Sequence, residues 1–185
     1  MATFAFPNIT PATNTFELVS NTRTYQSPLT NAVQTASRKG SLWKASLQFN
    51  NLSGDDRKVM QAFLVKLNGQ QHRFTLQDHS HTLRGAGGGN LVVNGASQSG
   101  TTLVCDGATA NVNNYLREGD YVSFNNELHM VVADTNSDGS GNVSISIAPP
   151  IRKSPPDDTI VDYTAPVQGV FMLAGPASWN TTIDI

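Results

Sequence analysis

Residues 118–152 read EGDYVSFNNELHMVVADTNSDGSGNVSISIAPPIR, and the pattern in this stretch decides the fold. Three short apolar runs, Tyr121–Phe124, Leu128–Val132 and Val143–Ile147, are separated by turn-forming residues, and the stretch ends on Pro149-Pro150. Short runs rich in Val, Ile, Tyr and Phe between Asn, Asp, Ser and Gly predict strands, because branched and aromatic side chains suit a pleated surface. Asn125-Asn126 predicts a tight hairpin turn between two of them, since asparagine tolerates the left-handed backbone such turns need.

Working upstream, Leu91–Val93 and Thr102–Cys105 add two more runs of the same kind. Five short strands at turn spacing predict a small sandwich or barrel. The connector HSHTLRGAGGGN, residues 79–90, has no periodicity and marks the start of this module. GAGGG within it lacks the Gly-Lys-Ser/Thr ending and following helix of a phosphate cradle, so it reads as a flexible hinge. Pro149, Pro150, Pro155 and Pro156 predict an extended exit.

Outside this module the periodicity changes. Trp43, Ala45, Leu47 and Phe49 alternate with Lys44, Ser46 and Gln48, the pattern of a half-buried strand. Ser53 then supplies an N-cap, with Asp55 and Asp56 in the first turn where the helix dipole favours acids. Val59, Met60, Phe63, Leu64 and Leu67 recur at helical spacing, and Asn68-Gly69 supplies the stop, predicting one amphipathic helix over about 54–67. Its apolar stripe reads as a core face. A strand follows at 71–77, with Phe74 and Leu76 on one side. Further on, Val167, Gly169, Phe171 and Leu173 alternate, as do Thr181, Ile183 and Ile185. Residues 1–40 read as one or two strands and a loop through Tyr25–Pro28, with Asn31–Lys39 as an extended arm. The expected fold is therefore mainly β. A β-sandwich-like parent domain, residues 1–80 plus 159–185, carries a small OB-like β-barrel inserted at 81–158.

Composition narrows the function. The net charge of -2 gives no basic footprint for nucleic acid. Charged residues make up 14%, well below the roughly 25% usual in soluble domains, and Thr, Ser, Asn and Gln fill the deficit. Uncharged polar surface costs less to bury than charge, which suits packing against other proteins. MATFAFPNITPATNT has no basic start or apolar core, so no signal peptide is expected, and no apolar run approaches membrane-span length. The single Cys105 lies in a strand-like run and reads as a buried structural thiol.

Each candidate for chemistry falls short. Asp134–Gly139 fits the first half of a calcium loop, but its twelfth position is Ile145 where a bidentate Glu is required; a hairpin loop is the better reading. His79 and His81 beside Asp78 form an H-x-H pair, whereas zinc needs three or four ligands. No serine sits in G-x-S-x-G. The pairs Asp55-Asp56 and Asp157-Asp158 belong to a helix start and a Pro-rich turn, not to a glycosidase. Trp43 reads as core and Trp179 is undecided. No catalytic, metal-binding or cofactor-binding residue, and no cofactor, is expected; the chain is not expected to be an enzyme.

The ordered set of W-K-A-S-L-Q-F (43–49), A-F-L-x-x-L-N-G at the helix end (62–69) and F-T-L (74–76) resembles bacteriophage tail proteins. E-G-D-Y-V-S-F-N-N-E-L-H-M-V-V-A-D (118–134), a Gly-rich turn and I-A-P-P-I-R (147–152) resemble a module of tail-tip and baseplate proteins in long-tailed phages and prophages. The plan is similar to distal tail proteins, some of which carry an inserted oligonucleotide- or oligosaccharide-binding-like barrel in a ring-forming domain. The resemblance covers about residues 41–175. It implies a structural virion protein at the tail tip, made in the host cytoplasm and forming a hexameric ring between tail tube and baseplate hub proteins. The polar side of Trp43–Phe49 and the Thr/Asn-rich N-terminus would contribute to subunit contacts. It implies no nucleic-acid binding and no membrane insertion. In related proteins the inserted module is associated with host glycans or other tip proteins, so the alternative is a carbohydrate-binding module using Trp179, Tyr115 or Tyr121 as sugar platforms.

Overall fold

The computed structural model describes residues 1–37, 40–164 and 168–178. Among the described residues the fold is mainly β, with 41% strand and a single helix. Two hydrophobic cores divide it, and a third cluster joins them.

The parent core is built from both ends of the chain. Strand β1 (Thr3–Ala5) runs parallel to β6 (Arg73–Gln77), and β12 (Gln168–Phe171) lies antiparallel on the other side of β6. A second layer pairs β2 (Thr13–Val19) with β5 (Leu42–Gln48) in continuous antiparallel register. The alternation read at 43–49 is realised: Trp43, Ala45 and Leu47 turn inward while Leu42, Lys44, Ser46 and Gln48 are exposed. Helix α1 (Gly54–Lys66) starts where the capping residue predicts, with the Ser53 side chain accepting from the Asp56 N–H at 3.1 Å. Asn68 and Gly69 stop it with φ of 47° and 62°. Met60, Phe63 and Leu67 pack on Phe74, Leu76 and Ile9 in the core. Val59, read as part of that stripe, is exposed.

Residues 20–40 differ most from expectation. The predicted loop and arm form a single hairpin, β3 (Thr22–Gln26) and β4 (Val33–Ser37), paired from Thr22↔Ser37 to Gln26↔Val33. It extends the β2–β5 ribbon beyond the parent core. Every residue of β3 is exposed.

The inserted module is a five-stranded antiparallel sheet curled into a half-barrel. Its strands are β7 (Gly89–Val93), β8 (Gly100–Ala108), β9 (Tyr121–Phe124), β10 (Glu127–Val131) and β11 (Val143–Ile151), in the order β7-β8-β11-β10-β9. All five runs read from the sequence are strands. Asn125 and Asn126 form the two-residue turn between β9 and β10, with φ of 49° and 64°. Two details depart from the reading. Strand β11 runs through Pro149 and Pro150 to Ile151 with a register shift; a proline is tolerated where an irregularity removes the need for its missing donor. Residues 159–163, read as parent, belong to the barrel. Val161 N–H donates to Leu91 O at 2.9 Å and Ser123 N–H to Asp162 O at 2.7 Å, so this segment bridges the edge strands β7 and β9. Val161 and Tyr163 accordingly sit in the barrel core.

The connector at 79–90 is not a loose hinge. Gly87 N–H donates to Tyr115 O and Thr109 N–H to Gly88 O. At Gly85 an added Cβ would lie 2.4 Å from Tyr115 O, so only glycine lets the two backbones approach this closely. The glycines fix the connector against the barrel instead of freeing it.

Candidate functional site

The candidate residues from the sequence are dispersed or structurally engaged. Asp134 accepts from Glu118 N–H at 2.8 Å, and Asn136 from Asn114 N–H at 2.7 Å. Asp138 accepts from the N–H groups of Ser140 and Asn142, both at 2.8 Å, and bonds to the Asn142 side chain hold its carboxyl below the usual carboxylate range. The Asp138 bonds are turn bonds, as the hairpin reading expects, while Asp134 and Asn136 tie the loop to the segment before β9. Asp78 accepts from Asn14 Nδ2 at 2.6 Å and Ser80 N–H at 2.9 Å, and His81 meets Tyr121 edge-on with ring centroids 4.9 Å apart. His72 lies against Phe4 and accepts from the Ala2 N–H. Among the described residues, no group of three or more His, Cys, Asp or Glu could hold a metal ion. Cys105 is fully buried, and burial pushes its thiol up to about 12.

The aromatic platforms for a sugar fail on burial. Tyr115 is 0% exposed, inside the barrel, with its hydroxyl donating to Gly88 O at 2.7 Å. Tyr121 is 5% exposed, and burial followed by the nearby Asp78 carboxylate pushes its phenol up to about 12. The sequence does not tell an inward from an outward tyrosine in a loop, as at Tyr115, or on a short strand, as at Tyr121. Trp179, with Val167 and the last predicted strand (Thr181, Ile183, Ile185), lies outside the described residues.

The structure assembles instead a junction between the two cores. Trp43 of β5 donates from Nε1 to Leu128 O of β10 at 2.7 Å and meets Tyr121 edge-on at 5.6 Å. Phe16 and Phe171 close the cluster, 5.7 Å apart. Strand β10 is therefore covered on both faces, by the barrel interior and by the parent domain.

Beside this junction opens a groove of about 1440 Å³, walled by β5, α1, the end of β12 and the barrel residues Asn126–His129. Leu47, Leu64, Leu128 and Phe171 supply its apolar lining, and Lys44, Arg57, Gln61 and Arg73 part of its polar lining. At its barrel end stands a polar cluster that sequence reasoning missed. His129, 1% exposed, stacks on Phe124 at 4.6 Å and donates from Nδ1 to Pro149 O at 2.7 Å. Its Nε2 lies 3.4 Å from Glu127 Oε2, and Glu127 also accepts from the N–H groups of Arg152 and Lys153, both at 3.1 Å. Burial lowers the His129 pKa, against the opposing pull of the Pro149 bond and the Glu127 charge. Both polar residues lie on the barrel-facing side of β10, opposite Phe124 and Val122.

Two surfaces remain unpartnered. The β3–β4 hairpin contributes to none of the three hydrophobic clusters, and its side-chain bonds, such as Gln26 to Asn31, are internal. Tyr25, Leu29 and Val33 are 53%, 94% and 58% exposed. On the barrel, Val104, Val132 and Ile160 are exposed on the outer surface. Among the described residues, no helix is long and apolar enough to cross a membrane.

No family model matches this chain, and no curated protein matches it.

Proposed function

We propose that the chain is a structural subunit of a long-tailed phage tail tip, of the distal-tail type, forming a ring that connects tail tube to tip. The observation that carries this reading is where the barrel is inserted. Strands β6 and β12 are direct antiparallel neighbours, Gln77 opposite Gln168, and the whole half-barrel leaves and returns between them. This is the parent-plus-insertion plan of the family that the sequence resembles.

Two further features support an assembling protein. An exposed two-stranded hairpin has little stability of its own in water and gains it by packing on something else. The exposed arm and the exposed barrel face are different surfaces of one chain, as a head-to-tail ring requires. The carbohydrate-binding alternative loses support from Tyr115 and Tyr121, whose rings a sugar does not reach. Negative-stain microscopy of the purified protein tests the ring directly, and mass spectrometry of purified virions tests its place. Rings and virion incorporation are expected. A strictly monomeric protein that is absent from particles would overturn the proposal.

A further inference from the structure

The charge of this chain is unevenly divided. Residues 20–40, the hairpin arm and its roots, carry Arg23, Arg38 and Lys39 and no acidic residue, a net charge of +3. Residues 81–163, the half-barrel with its closing segment, hold nine acidic and four basic residues, a net charge of -5. The remainder is neutral. Of the nine acids only Asp120 and Glu127 are buried, so the barrel presents its negative charge to solvent.

Exposed apolar side chains follow the same division. The arm offers Tyr25, Val33 and, at the hairpin end, Leu29. On the outer face of the barrel sheet, Ile160 bridges to Val92 and Val92 pairs with Asp106, while Val104, two residues along β8, pairs with Ser144. Asp157 and Asp158 border Ile160. By sequence one region is basic and the other acidic, and among the described residues each exposes apolar side chains.

We propose that the hairpin arm of one copy docks on the outer barrel face of a second copy, around Val104, Asp106 and Ile160. The arm supplies Leu29 from the hairpin end and Tyr25 to the apolar strip, and Arg23, on the same hairpin face as Tyr25, meets the acids bordering that strip. A contact between different patches repeats head to tail, so each copy both gives an arm and receives one. Opposite charges across it steer the encounter and exclude arm-to-arm and barrel-to-barrel pairing, where like charges would meet. The inference rests on the ring reading for closure and adds which surfaces make the contact.

The test uses the full chain. Wild type is compared with the arm variant Arg23→Glu/Arg38→Glu/Lys39→Glu by analytical ultracentrifugation at low and high salt, with circular dichroism confirming the fold. The three charge reversals are expected to weaken association by roughly tenfold or more, and added salt to weaken the wild type. Leu29→Cys and Ile160→Cys copies are then mixed and treated with a short bis-maleimide; the buried Cys105 stays unreactive. A cross-linked pair containing one copy of each variant is expected. If wild type and arm variant associate equally, or if cross-links join only two Leu29→Cys copies, the arm-to-barrel contact is overturned and the ring reading stands. If the wild type is monomeric throughout, both fall.

Discussion

The indole N–H of Trp43 donates to the Leu128 carbonyl at 2.7 Å, and this bond ties the parent domain to the barrel strand most deeply covered by it. Trp43→Phe retains an aromatic ring for Tyr121 but leaves that carbonyl without its partner. A loss of about 1–2 kcal/mol is expected. Trp43→Ala also removes the ring and should cost about 3 kcal/mol or more. Urea unfolding of the three proteins checks the order, and a second transition appearing only in Trp43→Ala would report the barrel unfolding apart from the parent.

Asp120 is fully buried, and its carboxylate accepts from Arg84 N–H at 2.7 Å, Arg117 N–H at 2.8 Å and Gly85 N–H at 2.9 Å. It fixes the connector on the barrel through the Arg84 and Gly85 donors and closes its own turn through Arg117. Asp120→Ala leaves all three unpaired and should cost about 3 kcal/mol or more, measured by chemical denaturation.

Gly85 and Gly95 make a matched pair of controls. An alanine at Gly85 places its Cβ 2.4 Å from Tyr115 O and 2.7 Å from Leu116 Cα, so backbone must move, at a cost of about 2–3 kcal/mol. Gly95 has open space around it and only its φ of 87° to resist substitution, so Gly95→Ala should cost about 1 kcal/mol. Equal losses at the two sites would contradict the packed connector.

His129 sets a pH dependence. Its folded-state pKa lies below the ordinary 6.5 because burial disfavours the imidazolium. As the pH falls through about 6.5 the unfolded chain binds a proton that the folded chain does not. Stability is therefore full above that value, declines below it, and levels off once the folded-state pKa is passed. Replacing the ring with His129→Gln should flatten this decline, read from urea midpoints at about pH 7.5 and about pH 5.5. An unchanged slope would assign the effect to other groups.

Cys105 should not react with thiol reagents in the folded protein. It is fully buried and its thiol is pushed up to about 12, so the reactive thiolate is scarce and covered. Labelling is expected only at the rate of unfolding, followed by mass shift.

Strand positions in the barrel were readable because each run is bounded by turn residues with a definite backbone need, as at Asn125-Asn126. The helix was readable because Ser53 and Asn68-Gly69 supply its start and stop from neighbouring residues. What the sequence hid depends on distant contacts. Tyr115, in the loop before β9, and Tyr121, at the start of that short strand, are polar-tipped, so only the third dimension tells platform from core. Glu127 and His129 are interior because they share the barrel-facing side of β10 with Val131, opposite Phe124 and Val122, while Leu128 and Met130 face the parent domain. GAGGG has the composition of a hinge, yet Gly85 is demanded by a backbone thirty residues away in sequence. Residues 159–163 (TIVDY) carry strand-forming side chains but directly follow the Pro-rich turn and make only isolated bridges, and hydrogen bonds to Leu91 and Ser123 place them.

The splice point between β6 and β12 has a consequence for inheritance. Gln77 and Gln168 are Cα partners, so the two ends of the insertion are one strand spacing apart, roughly 5 Å. Closing a longer excursion between fixed ends costs only about 0.6 kcal/mol per doubling of its length. The parent sheet is thus nearly indifferent to what is carried between those glutamines. A lineage can trade one cargo for another at this seam, keeping the scaffold and refitting little more than the patch that Trp43 meets.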